Sequence, residues 1–161
     1  MKPNRTGEVL IFAEQEAGVL SEVPLELLTK GRELADTLQV PLACALAGDQ
    51  VRDLAQTLIQ HGADKVYLAE DPRLKHYQTA SYTRVIADLI TATSPQICIF
   101  GATPMGRDLA PTVASELRCG LTADCTDLQI GTYTDPVKKE DHPNLLLLAS
   151  LLWGGEVLRR D

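Results

Sequence analysis

The sequence predicts an α/β domain in which a mostly parallel sheet carries helices on both faces. Short, continuously apolar runs of strand length recur along the chain, and each is followed by a stretch with apolar residues at helical spacing. Strands that are buried on both faces have this unbroken apolar character. Alternation of strands with helices of about three turns indicates right-handed crossovers and a three-layer arrangement.

Four strand–helix units account for the first 120 residues. Gly48 and Asp49 form a turn signal after the second strand, Gly62 closes the second helix, and Pro95 limits the third. Gly120 lies just past the end of the fourth helix. The predicted strands are 8–13, 40–47, 65–69 and 96–100, and the predicted helices are 24–38, 51–59, 82–90 and 108–117.

The remaining residues are less regular. A fifth strand is expected within 121–130, followed by a polar surface loop over 131–144 that contains two prolines. Its charged run, 138–141, is interpreted as solvated. The apolar segment 145–152 is expected to be a returning strand, although eight residues also fit an interface helix. Residues 153–158 resemble the start of another strand, and the chain then stops abruptly at Asp161.

Composition limits the class of protein. A chain of 161 residues with 45% hydrophobic residues fits one globular domain, assigned to 1–161. The net charge of −7 disfavours nucleic acid as a partner. No apolar window reaches the length of a membrane span and no leader is evident, so a cytoplasmic location is expected. The four cysteines form no Cys-x-x-Cys pair and are expected to be reduced, with Cys44 and Cys98 in buried strands.

The glycine-bounded segment 101–106 follows a strand and opens a helix, which is where open α/β sheets bind phosphate. Its glycine spacing is that of a nucleotide-binding P-loop, but Arg107 and Asp108 replace the lysine and hydroxyl residue that such a loop requires. Contact with a small anion or nucleotide remains open. A structural turn or a subunit contact is favoured, because Asp108 would repel an anion.

Residues with catalytic chemistry are scattered. The three histidines have no metal-ligand spacing, and none of the serines has the glycine-flanked elbow of a nucleophile. We therefore assign no catalytic residue, no cofactor-binding residue and no metal ligand.

Two segments carry a family resemblance. Residues 106–111 (GRDLAP), followed at helical distance by 120–127 (GLTADCTD), are similar to the signature of electron transfer flavoprotein α-subunits. Residues 9–14, 62–66 and 153–155 extend the resemblance over most of the chain.

The resemblance implies the N-terminal domain of such an α-subunit, with an adenine nucleotide α-hydrolase-like fold, and without the C-terminal FAD-binding domain. It implies a heterodimer with a β-subunit that carries FAD and passes electrons from dehydrogenases, such as the acyl-CoA type, to a quinone reductase. The flavin contacts of the family lie mostly in the absent domain, so no FAD is expected on this chain alone. An electron carrier subunit needs no catalytic residues of its own.

We therefore expect a scaffold that packs against the β-subunit and orients the flavin domain. The expected structural or interface residues are Gly101, Gly106, Arg107, Asp108, Asp124 and Asp127. Arg107 is expected to pair with Asp124 or Asp127. Self-association through 145–158 is also expected. The alternatives are a universal-stress-protein-like module that binds ATP or AMP, a bifurcating-type flavoprotein partner, and a plain interaction domain.

Overall fold

The computed structural model describes residues 5–123 and 125–150. The chain divides after Leu121 into two compact units, Met1–Leu121 and Thr122–Asp161. Among the described residues, none of the helices combines the length and the apolar character needed to cross a membrane.

The elements follow in chain order, with one further 3₁₀ turn at Pro72–Leu74 between β5 and α3. They are β1 (Val9–Phe12), β2 (Gln15–Glu16), β3 (Val19–Leu20), α1 (Glu22–Leu38), β4 (Leu42–Gly48), α2 (Arg52–Gln60), β5 (Lys65–Glu70), α3 (Thr79–Thr93), β6 (Ile97–Ile99), α4 (Pro104–Leu117), β7 (Cys125–Thr134) and β8 (Asp141–Ser150).

The first unit contains a four-stranded sheet with the order β5-β4-β1-β6, and every neighbouring pair in it is parallel. The chain adds β4 and β5 on one side of β1 and then returns to place β6 on the other side. Helices cover both faces, so the prediction of a three-layer α/β fold is confirmed. The order of the strands reverses between β1 and β6, which makes their carboxyl ends the topological switch point.

The two faces of the sheet bury different helices. Leu10 and Phe12 of β1 share a core cluster with residues of α3 and α4, among them Ile86 and Leu109. On the opposite face α1 approaches so closely that a Cβ built on Gly31 would lie 2.6 Å from Ile11 Cδ1. The central strands β1 and β4 are therefore buried on both faces, and this explains their continuous apolar sequences.

Asp64 links neighbouring elements of the first unit by hydrogen bonds near the amino ends of its strands. Its Oδ2 accepts a hydrogen bond of 2.7 Å from the backbone N–H of Leu42 and one of 2.9 Å from Arg32 Nη1. These bonds join the loop before β5 to the start of β4 and to α1. They lower the pKa of Asp64, with the Leu42 bond as the largest cause and the Arg32 bond as a further one.

A short hairpin follows β1, in a stretch that the sequence predicted only as a polar loop. β2 and β3 pair antiparallel around Ala17 and Gly18, which have φ angles of 50° and 80°. Two consecutive residues with positive φ are typical of a type I′ turn.

The second unit confirms one prediction and corrects another. The fifth strand predicted within 121–130 is present as β7, which begins at Cys125 and pairs antiparallel with β8 in a two-stranded sheet. The predicted loop 131–144 is shorter than expected and covers only 135–140, because β7 continues to Thr134 and β8 begins at Asp141. Its polar side chains stabilise a short turn, in which Asp135 Oδ1 accepts hydrogen bonds from the N–H groups of Val137 and Lys138.

The predicted returning strand is confirmed for 145–150, which excludes the interface helix there. Residues 151–152 of that prediction, and the strand predicted at 153–158, lie outside the described residues. None of the four cysteines, all of which the structure describes, forms a disulfide, and Cys44 is buried as predicted. Cys98 was predicted to be buried, and this prediction is wrong. The residue is exposed, because β6 is an edge strand of the sheet.

We predict that Asp64→Asn lowers the free energy of unfolding by about 1 kcal/mol at pH 7, the value expected for charged hydrogen bonds at a half-exposed site. The folded state lowers the pKa of Asp64 from 3.8, so this contribution is complete above that value. It is lost as the pH falls through the folded pKa.

Urea denaturation of both proteins at pH 7 and pH 3 tests this prediction. Asp53→Asn, at an exposed position in the first turn of α2, is the matched control. A gap between Asp64→Asn and the wild type that is equally large at both pH values would contradict the assignment.

Candidate functional site

The candidate site lies at the switch point, where β1 and β6 end side by side. Glu14 follows β1, and residues 100–103 connect β6 to α4. In open α/β sheets this crevice is where ligands bind, and a helix N-terminus is where a phosphate is held. The contacts of these residues therefore decide whether the domain can hold a nucleotide.

Thr103 and Glu14 close the crevice. Thr103 is the N-cap of α4, and its Oγ1 accepts a hydrogen bond of 3.0 Å from the backbone N–H of Gly106. The same hydroxyl donates a short hydrogen bond to Glu14 Oε2. The Glu14 carboxylate thus occupies the N-terminal end of α4, which is where an anionic ligand would bind.

The two glycines of the predicted loop are required by close packing. A Cβ on Gly106 would collide with the carbonyl oxygen of Gly101, and a Cβ on Gly101 would lie 2.7 Å from Val23 Cγ1. Gly106 is part of α4, which begins at Pro104 rather than at the predicted residue 108. Pro104 at the first helical position explains the earlier start, because its φ suits the helix and its missing N–H is not needed there.

Asp108 links α4 to the start of α3. Its Oδ2 accepts hydrogen bonds of 2.6 Å from Thr79 Oγ1 and 2.6 Å from Tyr77 Oη. The bond from Thr79, and then that from Tyr77, lower the pKa of Asp108. Burial, together with the Asp108 carboxylate, raises the pKa of Tyr77 to about 12. The Asp108 carboxylate therefore takes part in a contact between α4 and the start of α3.

The other predicted residues are not all brought together. Arg107 Nε donates a hydrogen bond of 3.3 Å to the carbonyl of Ala102, which holds it on the loop before α4. Asp127 lies in β7 of the second unit, where its carboxylate accepts bonds from the N–H of Leu128 and from Gln129 Nε2. Asp124 lies outside the described residues. The pairing of Arg107 with Asp124 or Asp127 stays a prediction.

Sequence reasoning missed Gln15, which ties the end of β1 to its surroundings. Its side chain is buried, and its Nε2 donates a hydrogen bond of 3.0 Å to the carbonyl of Ala47 in β4. Its Oε1 accepts a bond from the N–H of Gly18 in the β2–β3 turn. Sequence reasoning also missed the roles of Glu14 and Thr103. A signal was present, because two polar residues directly follow an apolar strand and a threonine precedes a proline at a helix start.

Electrostatics favour the closed crevice over a bound phosphate. A helix N-terminus attracts an anion by at most about 2 kcal/mol. Two like charges about 4 Å apart repel each other by about 4 kcal/mol at the effective dielectric near a protein surface. The Glu14 carboxylate therefore outweighs the helix end, and a phosphate at this position is disfavoured.

A cavity at the carboxyl end of β5 is no better as a binding site for an anion. It is lined partly by apolar side chains, including Leu74 and Val85. Arg73 and Arg84 also line it, but each of them binds a carboxylate two or four residues away. In the described ranges no group of three or more potential metal ligands is found.

These features define a class of protein: an α/β domain with the nucleotide-binding architecture, in which a side chain of the protein closes the switch point. Comparison with known proteins gives the family. The model of the electron transfer flavoprotein domain matches residues 9–157. The chain belongs to the electron transfer flavoprotein family, which confirms the resemblance noted in the sequence.

The relatives are longer proteins. Electron transfer flavoprotein subunit alpha of Megasphaera elsdenii is 48% identical over 76% of this chain and 36% of its own length. The protein of the same name from Thermoanaerobacterium thermosaccharolyticum is 40% identical over 94% of this chain and 43% of its own length. Acryloyl-CoA reductase electron transfer subunit beta of Anaerotignum propionicum is 40% identical over 82% of this chain and 36% of its own length. The chain thus spans less than half the length of each of these relatives.

We predict that Gly106→Ala lowers the free energy of unfolding by about 1–3 kcal/mol, since the new Cβ forces apart the backbones of α4 and the loop. This sign is diagnostic, because glycine to alanine within an exposed helix ordinarily stabilises by about 1 kcal/mol. Gly120→Ala is the matched control, because a Cβ there would have no atom within 4 Å. Thermal denaturation of both variants tests the contact, and a Gly106→Ala protein as stable as the wild type would refute it.

Proposed function

We propose that this chain is the N-terminal scaffold domain of an electron transfer flavoprotein α-subunit. In this proposal it packs against the β-subunit and orients the separate flavin-binding domain, and the redox chemistry belongs to FAD. The residues of the chain supply packing and docking surfaces rather than acid, base or nucleophile. The position of the N-terminal end of α4 is set by Gly101, Gly106, Arg107 and Asp108.

The observation that carries the proposal is the hydrogen bond between Thr103 and Glu14 at the switch point. A domain that bound a nucleotide in the usual position would present free N–H groups there. Here the N–H of Gly106 is bound by Thr103, and the adjacent space holds a carboxylate. The architecture is thus retained while its usual ligand site is disfavoured.

A second observation supports docking to a partner subunit. A two-stranded hairpin is marginally stable in water by itself. Three consecutive leucines, residues 145–147, lie in β8, so apolar side chains alternate onto both faces of the hairpin. Leu147 is 39% exposed. Apolar surface on both faces favours burial against another subunit, and the β-subunit is the partner we propose.

The proposed electron route runs from a dehydrogenase of the acyl-CoA type through FAD of the heterodimer to a quinone reductase. The name of the Anaerotignum propionicum relative, an acryloyl-CoA reductase electron transfer subunit, supports an acyl-CoA enzyme at one end of this route. Other relatives are named Protein FixB, among them that of Rhizobium meliloti. A cytoplasmic location forms part of the same proposal.

The alternative of an ATP- or AMP-binding module of the universal-stress-protein kind is not favoured. It requires a phosphate seat at the carboxyl ends of the strands, and the Glu14 carboxylate opposes one. The family match also favours electron transfer over this alternative.

We predict that the purified chain is colourless and keeps no FAD through gel filtration. A flavin dinucleotide needs a large dedicated cleft, and the switch-point crevice of this domain is closed. Binding at millimolar strength corresponds to about 4 kcal/mol, which does not survive chromatography. Absorbance in the flavin bands, measured with light scattering on the same column, tests this prediction.

Two outcomes would contradict the proposal. One is a yellow protein that carries one FAD per chain after gel filtration. The other is micromolar binding of AMP or ATP in calorimetry, which would favour the nucleotide-binding alternative. A purified flavoprotein of known FAD content, run on the same column, serves as the positive control for colour.

A further inference from the structure

Four aromatic rings of the first unit form an aromatic row. The ring centroids of Phe100 and Phe12 are 5.7 Å apart, and those of Phe12 and Tyr82 are 6.5 Å apart. The ring of Tyr77 follows, with its centroid 5.0 Å from that of Tyr82. Separations of this size are typical of aromatic rings in contact. The aromatic row uses both phenylalanines and two of the four tyrosines of the chain, and its last ring is that of Tyr77.

The phenol of Tyr77 is hydrogen-bonded to a base. Its Oη donates a bond of 2.6 Å to Asp108 Oδ2, a length typical of a hydroxyl bound to a carboxylate. Because the pKa of Tyr77 is raised to about 12, the phenol keeps its proton at neutral pH. The pKa of Asp108 is lowered from 3.8, so its carboxylate is ionised there. Asp108 is exposed, and a proton that it receives can therefore pass on to solvent.

Tyr82, the neighbouring ring of the aromatic row, has no such base. It is only 2% exposed, and its Oη donates a hydrogen bond of 2.9 Å to the backbone carbonyl of Leu74. The same oxygen accepts a bond of 3.4 Å from Gln15 Nε2. An amide carbonyl is too weak a base to take up the proton of a phenol. Of the two tyrosines in contact, only Tyr77 can lose its proton within its hydrogen bond.

Tyr67 is the other tyrosine whose hydroxyl is shown to donate to a carboxylate. Its Oη lies 3.2 Å from Glu8 Oε2, a longer separation than that between Tyr77 and Asp108. Lys65 Nζ binds the same oxygen of Glu8, so an ammonium group already compensates the charge of that carboxylate. The pair of Tyr77 and Asp108 is therefore better arranged for proton transfer.

We infer that Tyr77 is a one-electron donor to an oxidant of the photoexcited-flavin type, with Asp108 as the acceptor of its phenolic proton. The O–H bond of Tyr77 breaks, its proton moves to Asp108 Oδ2, and one electron passes to the oxidant. Tyr77 becomes a neutral phenoxyl radical, Asp108 becomes a neutral carboxylic acid, and the oxidant is reduced by one electron. This property is additional to the scaffold role and does not depend on it.

The proton must leave together with the electron. Loss of the electron alone would place a positive charge on a half-buried phenol, and an uncompensated charge at such a site is costly. Transfer of the proton along an existing hydrogen bond avoids this charge. A positioned proton acceptor accelerates reactions by about 10²–10⁴-fold. Because the two rings are in contact, an electron removed from Tyr82 is replaced from Tyr77, which is where the radical settles.

The test is flash photolysis of riboflavin with the full chain, in which the absorbance of the neutral tyrosyl radical is followed. Trp153→Phe is the parent of every variant, because indole loses an electron more readily than phenol and would mask the signal. We expect Tyr77→Phe to lose most of the tyrosyl signal. The matched control is Tyr67→Phe, which should keep it. Replacement of water by D₂O should slow formation of the radical in the parent.

The role of Asp108 is tested by two further variants whose folding is checked by circular dichroism. Asp108→Asn removes the base, and we expect the radical to form about a hundredfold more slowly. Thr79→Val removes the other hydrogen bond to Asp108 Oδ2 but leaves the base in place, so the rate should stay that of the parent. This control separates proton transfer from the contact between α3 and α4.

Three outcomes would overturn the inference. The first is a tyrosyl signal that survives in Tyr77→Phe and disappears in Tyr67→Phe. The second is a rate that is the same in water and D₂O. The third is an equal loss of rate in Thr79→Val and Asp108→Asn, because Asp108 would then act only by holding the two helices together.

Discussion

The hydrogen bond from the Thr103 hydroxyl to the Glu14 carboxylate links the end of β1 to the start of α4. It depends on the packing beneath it, since α4 can start so close to the loop only because Gly101 and Gly106 have no side chains. Gln15 then fixes the backbone that follows Glu14 by its bond to β4. A few polar contacts thus set the geometry of the whole carboxyl end of the sheet.

This closure changes what the fold can do. The strand order and the helix at the switch point are those of a nucleotide-binding sheet, and function in such folds depends on the site rather than on the architecture. Here a carboxylate takes the anion position, so binding of an anion there is disfavoured. Asp108 contributes by holding α3 and α4 together through Thr79 and Tyr77.

Most of the parallel sheet could be predicted from the sequence, because strands buried on both faces have unbroken apolar sequences with helical stripes between them. The antiparallel pairing of β7 with β8 could not. The polar residues 131–134 extend a strand because their partners in β8 are close in sequence, and such pairing overrides local composition. The start of α4 was missed because Gly106 was interpreted as the end of a loop, while Pro104 and Thr103 carried the helix signal.

The site was only partly predictable for a related reason. Glycines and charged residues near 101–108 stood out in the sequence, whereas Glu14 is 89 residues away from its partner Thr103. The spacing of residues within a short stretch of sequence cannot predict a contact between residues so far apart. The resemblance to the family indicated electron transfer more directly than any arrangement of side chains did.

The most direct test of the proposed scaffold role measures the affinity of this chain for the proposed β-subunit while flavin absorbance is monitored. The variants are Leu147→Glu in β8 and Val137→Glu in the turn, where the side chain is 88% exposed. Circular dichroism confirms that both fold. We expect wild-type and Val137→Glu chains to bind equally well, and Leu147→Glu to bind at least about tenfold more weakly, because burial of a leucine is worth about 1.5–3 kcal/mol. Equal binding by all three, or FAD retained by the chain without its partner, would contradict the account.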